Sequence, residues 1–283
     1  MMKVRNDPFG RHGTAWISRL RAEGRSASTI DCYSRDLRDI AIILNTQDVA
    51  VLGCVDQAEI DRVAETWSSS GASPGTVARR FSALRQFSLF LSRNGDVDCC
   101  RALAVDFPAH RRPPPRHVHN DEVCDFVSLA ATDMEDWMSM RDTAIFTIQA
   151  DSGLTTSEAV SLDRCNVSGA TIEVRETVFR KRAVGLSERG RLSLDGYLET
   201  VPFELASDGP LFVNARGSRV SVRTMQGRYR HRAATIGAGE VSGSSLRRNA
   251  GRTLALQGYA PDTIALALGL HPLSVFRFFE IEG

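Results

Sequence analysis

The sequence predicts a mainly α-helical protein of two domains, with one small antiparallel β-sheet in the second. Apolar residues recur at three- and four-residue steps along most of the chain, the period of a helix with one buried side. Only residues 171–186 show the two-residue alternation of strands. Between the two regions, Phe107-Pro108-Ala109-His110-Arg111-Arg112-Pro113-Pro114-Pro115-Arg116 breaks the pattern, because consecutive prolines supply no backbone donors and favour extended geometry. The expected division is a helical domain over 1–106, a basic linker over 107–116 and a second domain over 117–283. A chain of 283 residues with 42% hydrophobic content can fill two cores.

In the first domain, Trp16 and Leu20 mark one helix, and Ile30, Tyr33, Leu37, Ile40 and Ile43 a second, with Ser28 or Thr29 placed to cap it. Ile60, Val63 and Ala64 mark a third from Gln57 to Trp67. A fourth follows Ser73-Pro74-Gly75, burying Val77, Phe81, Leu84 and Leu91 and turning Arg79, Ser82, Ala83 and Gln86 the other way. In the second domain Asn120 is placed to cap a helix whose first turn carries Asp121 and Glu122. Thr171-Ile172-Glu173-Val174-Arg175 and Ala183-Val184-Gly185-Leu186 read as two short strands joined by a basic turn. From Leu192 onward the pattern is mostly helical.

Composition excludes some classes. No apolar run reaches the roughly 18 to 20 residues that span a bilayer, and Met1 to Phe9 lacks a signal-peptide core, so a soluble, cytoplasmic chain without a membrane partner is expected. The six cysteines (Cys32, Cys54, Cys99, Cys100, Cys124, Cys165) form no C-x-x-C pair and read as free thiols. His110, His117 and His119 lack a companion thiolate pair or carboxylate pattern, so they read as linker residues, and neither metal nor cofactor is expected. Net charge is +1, but residues 1–116 carry 17 Lys and Arg against 13 acids, net +4, leaving the remainder at net −3. Affinity for phosphate is therefore expected to lie toward the N-terminal half.

Four phrases in the second domain carry chemistry. They are Ser152-Gly153-Leu154-Thr155-Thr156-Ser157-Glu158, the basic turn near Thr177, Ser244-Ser245-Leu246-Arg247-Arg248, and the tail from Leu268-Gly269-Leu270-His271 to Phe279. Together they resemble the tyrosine recombinase (phage integrase) family, which implies a helical, SAM-like core-binding domain followed by an integrase-type catalytic domain. Ser28-Thr29-Ile30 to Leu37 and Thr76-Val77-Ala78-Arg79-Arg80-Phe81 to Phe87 resemble its core-binding domain. The resemblance runs from about Gly13 to Phe279. It implies double-stranded DNA as partner.

Matched position by position, the resemblance also implies losses. Thr155 stands where the family has its first arginine, Ser244 where a histidine precedes Leu246-Arg247, and Leu270 where a second histidine lies; with Ile172 and Leu186 anchoring the two strands, Thr177 falls where the hairpin lysine would be, and Lys181 substitutes for it if the hairpin is shifted. Phe279, nine residues after Leu270, stands at the nucleophilic tyrosine, and a phenyl ring has no oxygen to attack phosphorus. Arg247 alone is retained in kind. Each lost donor costs about 3 to 4 kcal/mol of transition-state stabilisation, so the expectation is a DNA-binding protein that is not an enzyme. Such a chain would be a regulator, accessory factor or competitor on a mobile element.

The residues expected on DNA are Arg79, Arg80, Ser82 and Gln86 in the groove-facing helix, Arg180, Lys181 and Arg182 at the hairpin, and Arg247 and Arg248. Phe279 is expected to pack with Phe276 and Phe278. Two rivals stand beside this reading. One is an active recombinase, through a displaced nucleophile at Tyr229 or Tyr259 or as a subunit of a mixed assembly; separately, His271 could stand in for the second histidine if the turn moved by one residue. The other is a protein-interaction module. Because the chain ends four residues after Phe279, a monomer or non-tetrameric pairing is expected, with an active recombinase or another protein as possible partner.

Overall fold

The computed structural model describes residues 10–46, 48–95, 100–109, 118–128, 136–177 and 180–279, excluding the side chains of 100 and 175–181. Most of the proline-rich stretch, with His110 and His117, lies outside them, as does Cys99. The chain divides into two compact units, Met1–Pro115 and Arg116–Gly283. Among the described residues no helix is long and apolar enough to cross a membrane.

The first unit is built from α1 (Gly10–Ala22), α2 (Ala27–Ile43), α3 (Gln57–Ser69), α4 (Pro74–Asn94) and the short α5 (Cys100–Ala104), with a 3-10 turn at Val49–Cys54. Helix α2 starts earlier than its sequence suggests, because Ser26, not Ser28 or Thr29, accepts the Thr29 amide. Asp56 and Glu59 close a reciprocal capping box on α3, and Ser73 caps α4 with Pro74 in its first turn. Helix α4 packs against α1, α2, α3, α5 and the 3-10 turn. Being surrounded, it buries more than one stripe: Ala83, Phe87 and Ser88 join Val77, Phe81, Leu84 and Leu91, so the expectation of an outward Ala83 is corrected. Trp16 stacks on Tyr33 at 5.8 Å and meets Phe87 edge-on at 5.2 Å. Phe107 lies 5.6 Å from Phe81, within the same core.

The second unit contains α6 (Asn120–Ser128), α7 (Trp137–Ser152), α8 (Thr156–Ser161), α9 (Glu188–Thr200), α10 (Val222–Thr235), α11 (Gly243–Leu256) and α12 (Pro261–Leu268). Asn120 is the first helical residue of α6 and not a residue preceding it. Strands β1 (Val167–Ser168), β2 (Thr171–Thr177) and β3 (Arg180–Gly185) form an antiparallel sheet in that order. Helix α7 is buried on all sides from Arg141 to Ala150, as a central helix must be. It packs against α6, α8, α9 and α11.

Helix α7 ends at Gly153, whose φ of +66° only glycine adopts readily. A Cβ there would sit 2.2 Å from Leu268 Cδ2. Gly153→Ala combines a left-handed backbone penalty with a steric clash, so it is expected to cost about 2 to 3 kcal/mol in urea-induced unfolding of the second unit.

Candidate nucleic-acid interface

The chain turns from α7 into α8 within three residues. Leu154 is buried, and Thr155 caps α8: its Oγ1 accepts the Glu158 amide at 3.1 Å while the Glu158 side chain accepts the Thr155 amide at 2.7 Å. The side chain at position 155 thus serves helix initiation.

Glu158 is buried and has three kinds of donor. Besides the Thr155 amide, it accepts both terminal nitrogens of Arg182, at 2.7 and 3.1 Å, and Nη1 of Arg247 at 3.3 Å. Arg247, on α11, also donates from Nη1 to the Gly153 carbonyl at 2.7 Å and from Nη2 to the Leu268 carbonyl. One guanidinium thereby ties the ends of α7 and α12 to the start of α8. Burial lowers the Arg247 pKa from its ordinary value, and the neighbouring Arg182 and Arg277 add to the shift while Glu158 opposes it.

Arg182 overturns an expectation. It does not project from a hairpin tip: its side chain is 4% exposed and points inward. The reason is the pleat. Arg182 is paired with Val174, and Val184 with Ile172, so all four share the core face of the sheet. The register also pairs Thr171 with Gly185 and Thr177 with Arg180, so Leu186 lies beyond β3 and does not anchor it. The turn between Thr177 and Arg180, and the side chains of Thr177, Arg180 and Lys181, fall outside the described residues.

On α4 the expected groove residues separate. Arg79 makes a two-pronged pair with buried Asp36 of α2, at 2.8 and 3.3 Å, and this hydrogen bonding raises its pKa despite partial burial. Half its side chain stays in solvent. Arg80 does not face outward: its guanidinium lies 5.0 Å from the Trp67 ring and 3.4 Å from Asp39, which also accepts Trp67 Nε1–H. Ser82 and Gln86 are exposed, as is Arg85 between them.

Ser244 is exposed on the first turn of α11, which is capped by Ser242 in a box with Ser245. It lines a cleft of about 780 Å³ with Thr156, Tyr229, Arg230 and Gly243. Arg248 is half-buried on the next turn. Leu270 packs against the small core of Ile264, Ala265, Leu268, Val275 and Phe278. His271 does not move into its place; its Nδ1 accepts the Leu273 amide at 3.3 Å and starts a 3-10 turn. The aromatic tail splits as well. Phe278 is buried with its ring against Gly251, where a Cβ would approach within 2.7 Å, whereas Phe276 and Phe279 are exposed. Phe279, at 39% exposure, is not part of the buried core that holds Phe278.

One feature was missed in sequence. Between Asp208 and Asp262 stand nine arginines and a single acid, Glu240, within a domain whose net charge is negative. Helix α10 holds four of them (Arg223, Arg228, Arg230, Arg232) plus His231 and no acid. Arg228 pairs with buried Asp142 and Arg232 donates to Thr143 at 3.0 Å, whereas Arg223, Arg230 and His231 are exposed. Averaging charge over the whole domain concealed this cluster.

Tyr229, one of the two candidates for a displaced nucleophile, is sequestered. Its ring is buried, its hydroxyl bonds Gln149 and lies 3.2 Å from Thr156 Oγ1, and burial pushes its pKa up to about 12. Tyr259 is half-exposed in the turn after α11. Because the folded Tyr229 phenol ionises above the unfolded value near 10, its contribution is complete below about pH 10 and disappears as pH rises toward 12. Tyr229→Phe is therefore expected to lose about 1 to 3 kcal/mol at neutral pH but to show a flatter stability profile from pH 10 to 12 in denaturant titrations.

Comparison with known proteins agrees with this architecture. Residues 117–275 match the profile of the phage integrase family, and residues 14–95 match that of its N-terminal SAM-like domain. Tyrosine recombinase XerC of Nitrobacter winogradskyi is 28% identical over 231 residues, covering 77% of this chain and 72% of its own. XerC of Vibrio atlanticus is 30% identical over 214 residues, covering 74% and 68%. In fold, the chain resembles lambda integrase solved as a dimer on a COC' core site, with TM-score 0.70 and 15% identity over 96% of this chain and 95% of that one. It also resembles XerH recombinase bound to palindromic difH substrate, with TM-score 0.65 and 15% identity over 95% and 81%. The expectation of a chain outside the enzymes is corrected by these relatives, which carry the name of a DNA-recombining enzyme across most of its length. By profile, sequence and fold, this chain belongs to the phage integrase family of tyrosine recombinases.

Proposed function

We propose that this protein grips double-stranded DNA as a subunit of a site-specific recombination assembly, in which a partner recombinase of the same family contributes the cleaving tyrosine. The observation that carries the reading is the acid-free α10, which turns Arg223, Arg230 and His231 outward from a domain that is otherwise net negative. A local surplus of cations binds the phosphate backbone by releasing its counterions. Exposed Ser82, Arg85 and Gln86, with half-exposed Arg79, form a second contact surface on α4, and half-buried Arg248 adds to the contacts of the second unit; Arg180 and Lys181 join this reading from sequence position alone. The solved relatives bound to DNA support the same partner. Phe279 at the tyrosine position and the sequestered hydroxyl of Tyr229 favour the mixed assembly over a displaced nucleophile. On a mobile element, such a subunit would govern where its partner acts.

The test combines this protein with the purified recombinase of its source on a nicked duplex, followed by denaturing electrophoresis for covalent protein–DNA adducts. The expected adduct is on the partner, with a yield that rises when this chain is added. An adduct on this chain that disappears in Tyr259→Phe would instead establish a displaced nucleophile, and an indifferent partner would sink the mixed assembly.

DNA binding itself is checked by the salt dependence of affinity. Arg223→Gln and Arg230→Gln are each expected to reduce the slope of log K against log salt by about 0.9, one phosphate contact apiece. Thermal stability should barely move, since both side chains are exposed.

A further inference from the structure

A glycine inside a helix lowers the folding constant roughly fivefold against alanine, so one kept there calls for a packing or a binding reason. The described helices of the second unit hold five glycines. Four have a packing reason: an added Cβ would lie 3.3 Å from Ser187 Oγ at Gly190, 2.7 Å from Met140 Cε at Gly196 and 2.7 Å from the Phe278 ring at Gly251, and would overlap Thr156 Oγ1 at Gly243. The fifth, Gly227 on α10, has nothing within 4 Å of that position. No packing within the unit explains it.

Its surroundings follow from the helical period. On a helix surface, residues three and four positions away are neighbours on one face. For Gly227 these are Arg223, Thr224, Arg230 and His231, and all four are exposed. Helix α10 carries no acid to neutralise them. Arg230 spends only Nε, on the Gln226 carbonyl at 3.3 Å, and its terminal nitrogens have no acceptor among the described residues. The Thr224 hydroxyl exchanges a hydrogen bond with Ser221 at 2.8 Å and borders the gap as a small side chain. The side-chain layer of α10 therefore has a gap floored by backbone and bordered by two guanidiniums and an imidazole. Arg223 and Arg230 stand seven residues, roughly 10 Å, apart along the axis, with Gly227 between them.

The cationic border selects an anion. The backbone floor selects one whose attraction grows by coming closer than a side chain would allow. We infer that Gly227 seats the sugar–phosphate backbone of DNA against α10, between the phosphates held by Arg223 and Arg230. It is a positioning residue: it adds no donor, and its missing side chain sets how closely both guanidiniums approach the strand. The inference deepens the DNA-gripping function proposed above and rests on it.

Two measurements on the full chain test it: urea-induced unfolding, and fluorescence anisotropy with a short duplex of arbitrary sequence across a salt series. Gly227→Ala should raise the folding constant roughly fivefold, because its methyl group enters open space. The same variant should lower affinity about tenfold or more near 0.1 M salt and flatten the slope of log K against log salt by about 0.9 to 1.8, one or two phosphates. Gly227→Gln, bulkier and a good helix former, should lose at least as much affinity while staying folded. Arg230→Gln added to Gly227→Ala should change the slope little further, since the strand is already held off. Greater stability with unchanged affinity and slope overturns the inference, as does a loss of stability in Gly227→Ala, which would give the glycine a packing role. Strictly additive costs of Gly227→Ala and Arg230→Gln overturn it as well. Failure of the wild type to bind duplex DNA overturns both this inference and the function beneath it; binding that Gly227→Ala leaves unchanged overturns this inference alone.

Discussion

The carboxylate of Glu158 is the contact on which the second unit depends. It closes the cap of α8, receives Arg182 from β3 and Arg247 from α11, and through Arg247 reaches the carbonyls that end α7 and α12. Removing one partner from a buried ionic group of this kind costs about 3 to 5 kcal/mol, because the remaining charges are left uncompensated. A well-packed apolar replacement would stabilise a core at least as well. What the triad adds is direction: a guanidinium held by three acceptors has little orientational freedom, and the elements it joins must meet at one geometry.

The first unit uses arginine to a similar end with less burial. Arg79 and Arg80 leave α4 for Asp36 and Asp39, so the contact between α2 and α4 is ionic at its edge and apolar at its centre. Trp67 is held from two sides, its indole N–H on Asp39 and its ring under Arg80. A helix face that appears available for binding is thus partly consumed in holding the bundle together. Ser82, Arg85 and Gln86 remain outside.

Helix α10 divides its cations in the same way. Arg228 and Arg232 turn inward to Asp142 and Thr143 of α7, which is one reason a helix with so little apolar surface packs at all. Its apolar anchors are Met225, Tyr229 and Ala233, at successive four-residue steps. The cations on the opposite side are free of that task. Held on a firm helix, they place positive charge at fixed spacing without the entropy loss of ordering a loop.

Sequence alone determined the helical class, the strand hairpin and the identity of the phrases around Gly153, Arg247 and Gly269, because these follow from local rules: period, caps and the left-handed glycines that end helices. It also held two signals that local reading passed over. Alternation with Val184 placed Arg182 on the inner face of β3, and the run of arginines between Asp208 and Asp262 marked α10. Sequence had no means of assigning partners. Whether Arg79 meets solvent or Asp36, whether Arg247 is spent on carbonyls, and which of three neighbouring phenylalanines is buried each depend on groups tens of residues away. Side-chain charge is written in the chain, but its exposure and its neutralisation are fixed only when distant elements pack, and the tertiary structure decided both.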